Sequence, residues 1–111
     1  LHGDLHHGNV LLNAEGQGVV IDPQGVLGPL AYDCGPFLRN WAVPGEWGAL
    51  PRPLLRQRVA ILAETLELEE SEVARWGAAH AVLSACWSVQ MREDGWEYTL
   101  ETARRLAEMA G

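Results

Sequence analysis

Two apolar triplets, Val10–Leu12 and Val19–Ile21, bracket six residues of turn chemistry, Asn13-Ala14-Glu15-Gly16-Gln17-Gly18. Runs this short and this close leave one local solution, an antiparallel hairpin. Its glycines can take positive φ in the connection. The second run is rich in β-branched residues, and the first reads as a short buried strand. A hairpin brings the residue before its first strand and the residue after its second to one edge. Those residues are Asn9 and Asp22. Residues 1–9 are loop-like, with two glycines and a polar cluster containing Asp4. The stretch Leu1–Asp22 therefore places two carboxylates and one carboxamide around the ends of two strands.

Beyond the hairpin the chain is helical. Pro23 to Leu30 is a glycine-rich loop, and Asp33 is placed to cap a short helix from Cys34 to Trp41. Pro36 falls in its first turn, where amide groups lack intrahelical partners. Val43–Pro53 carries three prolines and two glycines and reads as a connection. Pro53 opens a second helix, with Leu55, Val59, Leu62 and Leu66 at helical spacing. Ser71 is the expected cap of a third, favoured by Glu72 near its positive end, with a stripe of Val73, Trp76, His80, Leu83 and Trp87. Asp94 and Glu97 fit a capping box for a fourth, with Trp96, Leu100, Ala103, Leu106 and Ala110 inward. The predicted class is α+β and mostly helical: a hairpin and about four helices, one domain over residues 1–111. A chain of this size buries ~65% of its unfolded surface. The five tryptophans are expected to fill its core.

Charge narrows the partners. The net charge is −7 and the chain has no lysine, which argues against a nucleic-acid partner. An acidic surface suits a cationic substrate, but ordinary solubility is the favoured explanation. Cys34 and Cys86 lie far apart without CxxC spacing, as in reduced proteins, so a cytoplasmic location is expected. No run approaches a membrane span and no signal peptide is visible, so no membrane partner is expected. The chain opens inside the loop motif without a methionine, and reads as a piece of a longer protein.

The residue types around the hairpin fit phosphoryl transfer. That chemistry needs an aligned hydroxyl, an acceptor for its proton, and metal-bound phosphates held in place. Asp4 is the candidate catalytic base. Asn9 and Asp22 are the candidate magnesium ligands, because magnesium takes oxygen donors and waters. ATP is the implied phosphoryl donor.

The run His2-Gly3-Asp4-Leu5-x-x-x-Asn9 matches the kinase catalytic-loop pattern H-x-D-L-x-x-x-N position for position. With Ile21-Asp22-Pro23-Gln24-Gly25-Val26, Tyr32-Asp33 and Leu38-Arg39-Asn40, the chain resembles the aminoglycoside phosphotransferases, in particular the streptomycin 6-kinase and hydroxyurea-resistance kinase branch. The resemblance covers residues 1–40. It implies the C-terminal lobe of a protein-kinase-like fold, with the N-terminal nucleotide-gripping lobe absent. It implies Asp4 as base, Asn9 and Asp22 as magnesium ligands, and His2 and Asp33 as structural supports of the loop. His6 stands where protein kinases carry a phosphate-contacting Lys and is a candidate phosphate contact. No residue of this chain is assigned to nucleotide binding. The implied acceptor is a hydroxyl of a small molecule, such as streptomycin. The fragment alone is expected to be inactive, and apolar surface left by the missing lobe is a candidate dimer contact. Pro23 replaces the DFG phenylalanine, and Gly28-Pro29-Leu30 departs from the acidic-proline pattern of the branch.

Other readings stay open. A metabolic kinase acting on an amino alcohol or sugar has the same opening stretch. A metal hydrolase would use His2, Asp4, His6 and His7 as zinc ligands. A kinase-derived binding module would need no turnover. His80 on its apolar stripe reads as a satisfied core histidine and His7 as polar loop. Glu93, Asp94 and Glu97 fit a cationic-substrate pocket or plain capping and solvation.

Overall fold

One long helix organises the molecule. In the computed structural model, which describes residues 1–40 and 48–111, this helix spans Glu70–Gln90. Ahead of it come strands β1 (Val10–Leu12) and β2 (Gly18–Val20) and helices α1 (Gly35–Arg39) and α2 (Arg52–Leu66). The long helix is α3, and α4 (Trp96–Met109) closes the chain. Single 3-10 turns at His7–Asn9 and Leu30–Cys34 lead into β1 and α1. Among the described residues the chain forms the expected hairpin with four helices after it. The helix end at Trp41, the Val43–Trp47 part of the next connection, and two of the five tryptophans, Trp41 and Trp47, lie outside the described residues.

Helices α1, α2 and α4 and the 3-10 turn before α1 all pack on α3. The core at their meeting is built from Leu38, Leu55, Val59, Val73, Ala74 and Leu106. The buried face of α3 is Val73, Ala74, Gly77, His80, Ala81 and Ala85. The larger residues of the predicted stripe turn outward instead: Leu83 is 38% exposed and Trp87 is 49% exposed. The reason is close approach. A Cβ on Gly77 would stand 2.5 Å from Leu38 Cδ1 and 3.3 Å from Leu106 Cδ1, so α1 and α4 reach α3 only where α3 is small. On α4 the inner face is Thr102, Ala103 and Leu106, while Leu100 is exposed, a rotation from the predicted stripe. The tryptophans among the described residues are half-buried or exposed and do not fill the core.

The predicted caps give way to backbone solutions. Ser71 lies inside α3, whose N-cap is Glu69, and α4 starts from Gly95 at φ 93 with no side-chain cap from Asp94. A glycine in the left-handed region makes that sharp entry without steric cost. Pro53 does sit in the first turn of α2. The segment before α2 is fastened by α4: Leu50 N–H donates to Thr102 Oγ1 (3.1 Å) and Arg105 donates to Leu50 C=O (2.7 Å). Arg58 of α2 donates to the carbonyls of Phe37 and Asn40, each at 2.6 Å, and so satisfies the C-terminal end of α1.

The hairpin stands apart from this core. Val10 pairs with Val20, Leu11 with Val19 and Leu12 with Gly18. The second strand begins at Gly18, one residue earlier than predicted, because Asn13 closes the turn alone. Its side-chain oxygen accepts from the N–H groups of Glu15 (3.0 Å) and Gln17 (2.9 Å), and Gly16 takes φ 78. The strands are not buried as predicted. Leu11, Leu12, Val19 and Val20 are exposed, Leu12 by 76%, because no helix among the described residues covers either face.

Candidate active site

The loop before β1 is tied down by charge. Asp33, buried in the 3-10 turn ahead of α1, accepts from the backbone N–H of His2 (Oδ2, 2.8 Å) and of Gly3 (Oδ1, 3.0 Å). Two bonds to one carboxylate fix the entry of the loop against the helical core. Asp33 therefore reaches across to the loop, and makes no cap bond of its own to α1. Gly3 has φ 89, and a Cβ there would meet Val26 Cγ2 at 2.9 Å and Gln24 Cβ at 3.1 Å. Only glycine lets the segment after β2 lie this close. That segment pairs back, Gln24 N–H donating to His2 C=O at 2.6 Å.

His2 is the bridge. The N–H of Asp4 donates to His2 Nδ1 (3.1 Å), which makes Nδ1 the acceptor and leaves the ring proton on Nε2. Nε2–H then donates to the carbonyl of Ile21 at 2.6 Å. One buried imidazole thus joins the backbone of Asp4 to the residue next to Asp22. With both ring nitrogens engaged, His2 has no lone pair left for a metal, which removes the first ligand of the zinc reading. His6 uses Nδ1 to accept from Gly8 N–H (3.0 Å), and its Nε2 stands 3.7 Å from Asp4 Oδ2.

Asn9 is buried. Its Nδ2 donates to Asp4 C=O (2.8 Å), and its own C=O accepts from Ile21 N–H (2.9 Å). The amide nitrogen is consumed, so the side-chain oxygen is the end left for a ligand. Asp22 comes directly after Ile21 with φ 55, a left-handed conformation that costs a non-glycine residue roughly 1–2 kcal/mol and that Asp tolerates best. Pro23 disfavours the right-handed alternative for the residue before it. The structure brings Asp4, Asn9, the Ile21–Asp22 corner, His2 and Asp33 together through one bonded network. Its donor set is a carboxamide oxygen and carboxylates, the hard oxygen ligands that magnesium takes.

Three residues near this network lie outside the predicted set. His7, read as free polar loop, packs edge-on against Phe37 (5.0 Å between ring centres) and its Nδ1 accepts from Asn40 Nδ2 (3.1 Å). Burial pushes its pKa down, helped by the cationic Arg58 and by His6. His80 is buried between Tyr32 and Trp87, as a core histidine should be, but its Nδ1 has no partner among the described residues. Burial pushes its pKa down to about 4. Arg39 adds to the fall and the negative charge of Asp4 opposes it. Arg39 is itself lowered by burial and raised by Asp4. Spacing gave no sign that both residues would feel the charge of Asp4, since the two lie on different helices.

Among the described residues no three His, Cys, Asp or Glu side chains cluster as a metal site, and no helix is long and apolar enough to cross a membrane. Both cysteines are free, Cys34 buried and Cys86 exposed.

Residues 1–95 match the family model of aminoglycoside/hydroxyurea antibiotic resistance kinases. The chain is 36% identical over 91 residues to a streptomycin 3''-kinase of Klebsiella pneumoniae, covering 80% of this chain and 34% of that protein. It is 33% identical over 95 residues to a streptomycin 6-kinase of Streptomyces griseus, covering 86% of this chain and 30% of that protein. A streptomycin 6-kinase of Streptomyces glaucescens is 30% identical over 100 residues, covering 86% of this chain and 30% of its own length. The chain spans about a third of the length of these curated relatives. No solved structure matches it significantly.

Proposed function

From the premise that this chain belongs to the aminoglycoside/hydroxyurea antibiotic resistance kinase family, we propose that it is the catalytic part of an enzyme that transfers a phosphoryl group from ATP to a hydroxyl of an aminoglycoside such as streptomycin. The observation that carries the reading is the His2 bridge, which holds the backbone of Asp4 and the corner at Asp22 in one frame. Asp4 acts as the base. Its carboxylate is part-exposed and makes no short bond among the described residues, so it is free to accept the proton of an incoming hydroxyl. His6, on the same rim, contacts phosphate. Asn9 and Asp22 offer their side-chain oxygens to magnesium, which when bound offsets the negative charge of the phosphates. Asp33 and His2 keep these groups in register.

The fold of the longer protein is read as protein-kinase-like, with this chain as its C-terminal lobe. Nucleotide grip then comes from chain outside these residues, and the 111-residue piece by itself is expected not to turn over. The matching compartment for this reading is the cytoplasm, where ATP is available. The test is transfer of labelled γ-phosphate from magnesium-ATP by the full-length protein to a panel of aminoglycosides, amino alcohols and sugars. Labelled streptomycin is the expected product. Label on an amino alcohol or sugar alone would replace the acceptor with a metabolic one.

A further inference from the structure

The loop that carries Asp4 has two ends, and residues at both ends of α1 hold them. Asp33, just ahead of α1, accepts from the N–H groups of His2 and Gly3. Asn40, the C-cap of α1, meets the loop at its other end, where His7 opens the 3-10 turn that leads to Asn9. Asn40 Nδ2 donates to His7 Nδ1 at 3.1 Å, between residues 33 apart in the chain. Asp4 lies between the two fastenings. A loop held at one end can turn about that end, and a loop held at both cannot.

Every polar group of Asn40 is bonded. Its N–H donates to Pro36 C=O (3.0 Å), and its C=O accepts from Arg58 of α2 (2.6 Å). Its Oδ1 accepts from Arg39 NH1 (3.2 Å). A guanidinium only donates, so the amide oxygen must face Arg39 and the amide nitrogen must face His7. His7 therefore accepts through Nδ1. Arg58 NH1 also donates to Phe37 C=O, and Phe37 is the ring against which His7 packs edge-on. Beside that ring pair opens a cavity of about 170 Å³, lined by His7, Phe37, Arg58, Ile61 and Leu62. Packing around His7 is thus incomplete, and the directional bond from Asn40 is what sets its place. Two residues on, Asn9 reaches back through Nδ2 to Asp4 C=O (2.8 Å).

We propose that Asn40 is a positioning residue of this kinase: through His7 it fixes the far end of the catalytic loop, and with it the place of Asn9 relative to Asp4. This rests on the phosphotransferase reading and adds to it a residue that acts without touching substrate.

The experiment uses the full-length enzyme with magnesium-ATP and the acceptor it labels. Wild type, N40A, H7F, H7N and the double variant N40A/H7F are compared by steady-state kinetics, thermal unfolding and amide hydrogen exchange of the peptide spanning residues 1–12. H7F keeps a ring against Phe37 and removes the acceptor, whereas H7N puts an amide oxygen near the place of Nδ1. N40A and H7F are each expected to lower kcat about tenfold, to leave both KM values within about threefold, and to speed exchange in the loop peptide. The double variant should also lose only about tenfold, because both changes remove the same bond. H7N should recover most of kcat. An unchanged kcat in N40A and H7F, or losses that multiply to about a hundredfold in the double variant, overturns the proposal and makes Asn40 a helix cap only. If N40A does not fold, the His7 pair decides: a low kcat in H7F restored in H7N supports the proposal, and equal values overturn it. A wild-type enzyme that labels no acceptor overturns the functional reading itself, and this assignment falls with it.

Discussion

Residues 1–33 and residues 48–111 are stabilised by opposite means. In the first region the buried side chains are chiefly polar: His2, Asn9 and Asp33, with Ala31 the buried hydrophobic residue. In the second they are Leu, Val and Ala around α3, with His80 and Thr102 as polar exceptions. The helical region gains stability from apolar area, which is tolerant of small shifts. The loop and hairpin gain position from a few directional bonds, which are not. The phosphoryl-transfer site proposed for this loop would need its groups placed within fractions of an ångström, and directional bonds supply that. The apolar faces of the hairpin, by contrast, meet no helix among the described residues.

The contrast predicts a split between activity and stability. The largest effect is expected from Asp4→Ala, which should lower kcat of the full-length enzyme by a factor of about 100–10,000 and leave thermal unfolding unchanged. A drop in melting temperature with activity retained would break the assignment of the base. Asp33→Ala is expected to affect both. It leaves two backbone N–H groups unpaired, a cost of about 2–4 kcal/mol, and it frees the loop, so activity should fall further than stability accounts for. Denaturant titration beside a turnover assay separates the two.

His80 tests the helical region through pH. Its folded pKa of about 4 lies below the unfolded value of 6.5, so the unfolded state binds the proton first as the pH falls. Stability should therefore be full above pH 6.5, decline between 6.5 and 4, and level off below. His80→Gln should flatten that part of the profile in urea melts. The smallest effect is expected at the hairpin: Leu12→Thr with Val19→Thr should change the unfolding free energy of this chain by less than about 0.5 kcal/mol, since neither residue packs on a helix. A loss of several times that would mean the hairpin shares in the core.

Much of this was legible in the sequence. The triplets around Asn13–Gly18 gave the hairpin within one residue, and apolar spacing with prolines set the number of helices. The proximity of Asn9 to the Ile21–Asp22 corner was legible because a hairpin fixes which residues meet. Two things were hidden. Large apolar residues recur on α3 at helical spacing, but the buried face runs through Ala74, Gly77, Ala81 and Ala85, because α1 and α4 approach too closely for side chains the size of Trp87. Periodicity finds an apolar face and does not rank a small one above a large one. Arg39 and His80 were hidden for another reason. They are brought to one side of the molecule by the packing of α1 on α3, segments more than thirty residues apart, and no local pattern encodes it.

The imidazole of His2 has a mechanical consequence. A planar ring bonded at both nitrogens acts as a gauge block between two loops: it cannot stretch, and it tilts only by breaking a bond. A displacement of the hairpin is therefore expected to carry the backbone at Asp4 and the backbone at Ile21 together, with the ring between them as a fixed spacer.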